Sequence, residues 1–150
     1  SVLMVLMVFG AFGRIFGGIL GDRIGALPGY ILMSLGQTIF VIWFPDLISP
    51  TTIYIMAALF GFTYSGVMSS ILVCTRMMVP ANYGARAMSL TSFFGWIGMG
   101  LGGFLGGYFF DIYGNYNWAF TFAGLSGVIN LIILSFFFLY IRRAERLVLN

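Results

Sequence analysis

The sequence predicts an all-α integral membrane protein with five transmembrane helices. Three observations carry this. Of the 150 residues, 61% are hydrophobic and only 7% charged, whereas soluble domains carry roughly 25% charged residues. So few charges cannot clothe a globular surface in water. The charges also act as punctuation: they bound long uncharged runs, each close to the ~20 residues a helix needs to cross a bilayer. Finally, the runs are continuous, which excludes the alternating strands of about ten residues that build a transmembrane barrel.

The first span, about 1–20, is apolar except for Arg14, and Gly13, Gly17 and Gly21 recur in it every four residues. That spacing puts them on one face, where bare backbone lets a second helix approach closely. The second span, about 27–44, is uncharged and ends in the bulky run 39–44 before Pro45-Asp46. The third, about 52–74, lies between Asp46 and Arg76 and repeats the small-residue face more weakly at Ala57, Gly61, Ser65 and Ser69. The fourth, about 87–110, lies between Arg86 and Asp111 and carries two glycine rows: Gly98, Gly102, Gly106, and Gly95, Gly103, Gly107. The fifth, about 117–141, has a second bulky run at 132–139, and its Asn130 is expected to hydrogen-bond to a neighbouring helix. Residues 142–150 form a basic tail. Small faces place spans one, three and four inside the bundle, and bulky circumferences place two and five toward lipid. Trp43, Trp118 and Tyr140 fall near span ends, where amphipathic rings settle at the membrane interface.

Every cation is an Arg, and the connections alternate in charge. Arg23, then Arg76 with Arg86, then Arg142, Arg143 and Arg146 fall on one side; the other side holds only Asp46 and Asp111. By the positive-inside rule the Arg side is cytoplasmic. The chain is thus expected as a multi-pass protein of the cell membrane, its amino end outside and its tail in the cytoplasm. The first span has no basic leader and no small-residue cleavage site, so it does not read as a signal peptide. Its abrupt start and the odd span count read as a fragment lacking at least one earlier helix.

Several functions are disfavoured by what is missing. There is no His, and the one cysteine, Cys74, has neither a disulfide partner nor companions for a metal site. No acid lies within a span, and no G-x-x-x-x-G-K-[ST] run exists. A membrane enzyme would need converging acids, His or an activated nucleophile, so no enzyme activity, cofactor, metal or nucleic-acid partner is expected.

The run Gly18-Ile19-Leu20-Gly21-Asp22-Arg23-Ile24-Gly25 resembles the G-x-L-x-D-R-x-G signature of the major facilitator superfamily, found between paired helices of each half. Arg14, four residues earlier, is similar to the Arg-x-x-x-Gly pattern in the eighth helix of monocarboxylate-transporter-like and oxalate/formate-antiporter-like members. The run 102–108, followed by Asp111, Gly114, Tyr116 and Phe120, resembles the passage from the eleventh to the twelfth helix. The resemblance implies that the five spans are helices eight to twelve, a partial six-helix half of the bundle. Two features depart from those relatives: Gly10 stands where some carry an acid, and the fourth span has no Lys.

The resemblance implies secondary active transport of a small, monocarboxylate-like organic anion by alternating access. A channel or a structural bundle without carrier activity is the other reading. The expected partners are the bilayer, an anionic substrate with or without a coupling proton, and the N-terminal half of such a transporter. Arg14 is the candidate anchor, because a guanidinium keeps its charge inside a membrane and its fork suits a carboxylate. Two alternatives stay open for it: its stem snorkels toward the cytoplasmic end, or it pairs structurally with the other half. Tyr64 is a candidate substrate ligand, with helix packing as its alternative. Asp22 and Arg23, framed by Gly18, Gly21 and Gly25, are candidate gate elements that hold one side shut by pairing with the opposite half; plain topology is the alternative for Arg23. Gly21 and Gly25 are expected to permit a tight turn.

Overall fold

The computed structural model describes residues 1–44 and 49–148, with side chains through Arg143. Five helices follow one another: α1 (Val2–Ile24), α2 (Ala26–Trp43), α3 (Pro50–Met78), α4 (Gly84–Tyr113) and α5 (Asn117–Val148). A single 3-10 turn, Ala81–Tyr83, precedes α4, and no strand occurs among the described residues. All five helices are long and apolar enough to cross a membrane.

The helices outrun the apolar segments. Pro50 opens α3, where its missing N–H has no partner to lose. That helix then continues past Cys74 through Arg76. The segment expected as a tail begins as helix, since α5 carries on through Arg142 and Arg143 to Val148. Arg, Ala, Glu and Leu are all good helix formers, and cations near a helix C-terminus complement its dipole. The expectations at Asp46 and at the Arg146 side chain lie outside the described residues.

The α1–α3 seam is built from bare backbone. Gly10, Gly13 and Gly17 are buried on α1 and run parallel to Gly61, Ser65 and Gly66 on α3. A Cβ added at Gly13 would land on the Phe62 carbonyl, and one at Gly61 on the Leu6 carbonyl. At Gly17 it would lie 2.9 Å from the Gly66 carbonyl oxygen. Approach this close brings dispersion contacts and Cα–H···O contacts that no larger residue would allow.

Helix α2 runs antiparallel to α3 and to α5. Met33 abuts Gly66, Gly36 lies opposite Thr63, and Thr38 lies opposite Gly127. Asn130 Nδ2 donates to Ser34 Oγ at 2.8 Å, the interhelical bond expected of that carboxamide. The core gathers Ala26, Leu27, Tyr30 and Met33 of α2 with Val67 and Cys74 of α3 and Leu134 of α5.

Two helices exchange the positions expected of them. α2, read as lipid-facing, is central and packs on α1, α3 and α5. α4, read as inner, buries no residue. The bulky run of α2 covers only its last third; earlier, Ala26, Gly29, Ser34 and Thr38 are small and buried, Gly29 against α1 and Thr38 against α5. The packing expected of Gly98, Gly102 and Gly106 is not made within this chain, since a Cβ at each would meet nothing within 4 Å. Instead α4 is tied down near its two ends. Thr91 Oγ1 lies 3.3 Å from Thr75 Oγ1 of α3. Toward the other end the Phe109 and Phe122 rings are 6.4 Å apart and Tyr113 lies 5.7 Å from Trp118. Between these ties α4 spans a cleft.

Candidate functional site

The signature run is helix almost to its end. Gly18, Gly21, Asp22 and Arg23 all belong to the last turns of α1, and the connection to α2 is Gly25 alone. Gly25 adopts φ 99° and ψ 150°, a region open essentially to glycine. Its N–H donates to the Gly21 carbonyl at 3.0 Å, closing α1, and its own carbonyl accepts from Gly29 N–H at 3.0 Å, opening α2. The tight turn expected of Gly21 and Gly25 is therefore a one-residue corner at Gly25. Gly21 does not make the turn. It is buried and helical, and a Cβ at Gly29 would come within 3.2 Å of its backbone; its small size admits α2. Gly18 faces open space.

Asp22 and Arg23 are exposed beside this corner. Arg23 suits the negative end of the α1 dipole, whereas Asp22 opposes it. An acid placed there gains from any cation or helix N-terminus brought up from outside the chain.

Arg14 is exposed on α1, off the glycine seam. Its carbonyl accepts from Ser69 Oγ at 3.3 Å. The neighbouring turn sets Gly17 against Gly66, Gly66 meets Met33, and Ser34 bonds Asn130. Arg14 thus stands level with the Ser34–Asn130 bond, at mid-height of the bundle. Nine residues separate it from Arg23, about 13 Å at ~1.5 Å per residue.

The cleft beneath α4 has a volume of about 560 Å³ and is walled by α2, α3, α4 and α5. Neither Arg14 nor Tyr64 lines it. Tyr64 is half-buried and stacks on Phe60 at 5.7 Å, and it is Phe60 that reaches the cleft wall. Gly98, Gly102 and Gly106 form the α4 side. Facing them are Asn130 of α5 and four polar residues that the sequence reading did not single out: Ser34, Gln37 and Thr38 of α2, with Ser126 of α5. Their spacing was the available signal, since i, i+3, i+4 on one helix and i, i+4 on the other each define one face.

Several hydroxyls in the bundle are spent on their own helix. Thr38, Ser69, Thr75 and Ser126 each donate to the carbonyl four residues back, as Ser and Thr in apolar helices commonly do. Ser70 differs: its Oγ is fully buried without a hydrogen-bond partner among the described residues. No group of three or more His, Cys, Asp or Glu stands together to hold a metal among the described residues.

Residues 1–149 match the Major Facilitator Superfamily. The chain belongs to the major facilitator superfamily. No curated protein and no solved structure matches it. This superfamily chain is therefore a multi-pass membrane protein of the transporter class, in a family whose members move small molecules rather than transform them. The corner at Gly25, with Asp22 and Arg23 beside it, is where the run that resembles the family signature falls on the fold.

Proposed function

We propose that this chain is part of a secondary active transporter that moves a small, monocarboxylate-like organic anion by alternating access. The observation that carries the reading is Arg14: a permanent cation at mid-height of a spanning helix, exposed at the edge of the α1–α3 seam, where its own carbonyl accepts from Ser69. Intramembrane cations face a cavity or a partner charge, and the guanidinium fork fits a carboxylate. Tyr64 is proposed as a second ligand, donating its hydroxyl to the same anion. Gly18, Gly21, Asp22, Arg23 and Gly25 are proposed as the gate, with Asp22 pairing against the other half when that side is shut.

The order of the motifs supports placing α1–α5 as helices eight to twelve, with the N-terminal half against the exposed side of α1. The antiparallel order α1–α2, α2–α3, α2–α5 and α4–α5 gathers Arg23, Arg76, Arg86, Arg142 and Arg143 at one end, with Asp111 at the other. That distribution supports a cytoplasmic Arg end in the cell membrane and an amino end outside.

Counterflow in proteoliposomes of the full-length transporter tests the reading. Unlabelled short-chain monocarboxylate on the far side is expected to accelerate uptake of the labelled compound; absence of acceleration rejects the carrier. Arg14→Lys keeps the charge but loses the fork, and Arg14→Ala loses both. Loss of a charged hydrogen bond weakens anion binding by roughly 10- to 150-fold, so Arg14→Ala with unchanged affinity removes the anchor.

A further inference from the structure

We propose that the cleft beneath α4 is a separate binding site for a neutral amphiphile drawn from the bilayer, a molecule with an apolar body and a hydroxyl or carboxamide head. It does not depend on the anion reading, because Arg14 does not line this cleft.

Size and walls come first. About 560 Å³ falls within the ~300–1,000 Å³ typical of small-molecule sites. Val41, Phe60, Met68, Leu101, Leu105 and Phe122 supply apolar wall on all four helices, which suits a hydrocarbon body. Charge comes next. None of the lining residues is ionisable at neutral pH, so an ion in the cleft would lose its hydration with no counter-charge, a heavy penalty. The occupant is therefore neutral.

The head group follows from Gln37. Asn130 gives one N–H to Ser34, and Thr38 and Ser126 are turned onto their own backbone carbonyls. No hydrogen bond engages the Gln37 carboxamide among the described residues, yet it lies on the cleft wall. A pure hydrocarbon would dehydrate that amide and leave it unpaired. A hydroxyl or carboxamide would satisfy both its donor and its acceptor.

The source follows from α4. Its ties to α3 at Thr91 and to α5 at Phe109 and Tyr113 lie toward the membrane faces. The gap opens between them at Gly98–Gly106, the middle of the span. At that depth the surrounding medium is hydrocarbon, so the ligand arrives sideways from the lipid.

Photolabelling of the full-length protein in phosphatidylcholine nanodiscs tests this, using a diazirine analogue of dodecanol against matched dodecanoate and dodecane analogues. The alcohol probe is expected to label cleft residues of α2 and α5 saturably and to be displaced by excess dodecanol. Gly102→Leu fills the cleft from a position where a Cβ meets nothing within 4 Å and is expected to abolish that labelling while thermal unfolding stays put. Gln37→Leu is expected to lower alcohol labelling roughly five- to tenfold, the loss of one hydrogen bond, and to leave the alkane probe unaffected. Should Gly102→Leu misfold, Gln37→Leu decides alone. Unsaturable labelling, equal labelling by the alkane or carboxylate probes, or labelling spread evenly over the outward Trp96 and Phe104 overturns the proposal.

Discussion

At the residue scale, glycines that look alike in the sequence have unequal duties. Gly25→Ala forces a side chain into its positive-φ conformation and is expected to lower stability by about 1–3 kcal/mol, read as thermal unfolding in detergent. Gly13→Val drives a branched side chain onto the Phe62 carbonyl and is expected to lose at least the ~1–3 kcal/mol typical of overpacking. Gly18→Ala meets open space and, with alanine the better helix former by about 1 kcal/mol, is expected to be neutral or slightly stabilising. Ser70→Ala in the same assay removes a buried hydroxyl without a partner and is expected to leave the midpoint unchanged or raised, since no bond is lost and a desolvated group is relieved. The chain's glycine spacing announced the face of α1 correctly, because period four is a property of the helix itself. It could not separate Gly13 from Gly18, because that depends on which neighbour arrives.

At the scale of elements, the spans and their order were legible because charge is excluded from hydrocarbon and so marks every boundary. Which helix lies inside was not. The bulky tail of α2 drew attention from its small polar face at Ser34 and Thr38, and the glycine rows of α4 look the same whether they meet a helix or border a gap. Gln37 was overlooked for a similar reason: an uncharged amide scarcely disturbs an apolar run, and only its place beside Ser34 and Asn130 gives it meaning. The link between α2 and α5 can be weighed directly. A double-mutant cycle of Ser34→Ala and Asn130→Leu is expected to show a coupling near ~0.6 kcal/mol, the average for interhelical hydrogen bonds in membranes; a coupling of zero would mean that packing alone joins the two helices.

At the scale of the whole molecule, alternation of five spans sets Ala81, near Arg76 and Arg86, at one end of the bundle and Tyr116, near Asp111, at the other. Both positions are exposed. In a background with buried Cys74 replaced by serine, Tyr116→Cys is expected to react with an impermeant maleimide applied to intact cells, and Ala81→Cys only after permeabilisation. The opposite pattern would invert the orientation.

The corner at Gly25 has a mechanical consequence. A loop of several residues lets adjoining helices tilt independently, but one residue offers only two dihedrals. α1 and α2 are in effect the two arms of one bell crank. A tilt of the arm carrying Arg14 is passed on to the arm carrying Gln37 instead of being absorbed between them. Lengthening the joint, for instance by inserting residues after Gly25, would leave both arms intact and uncouple their motion.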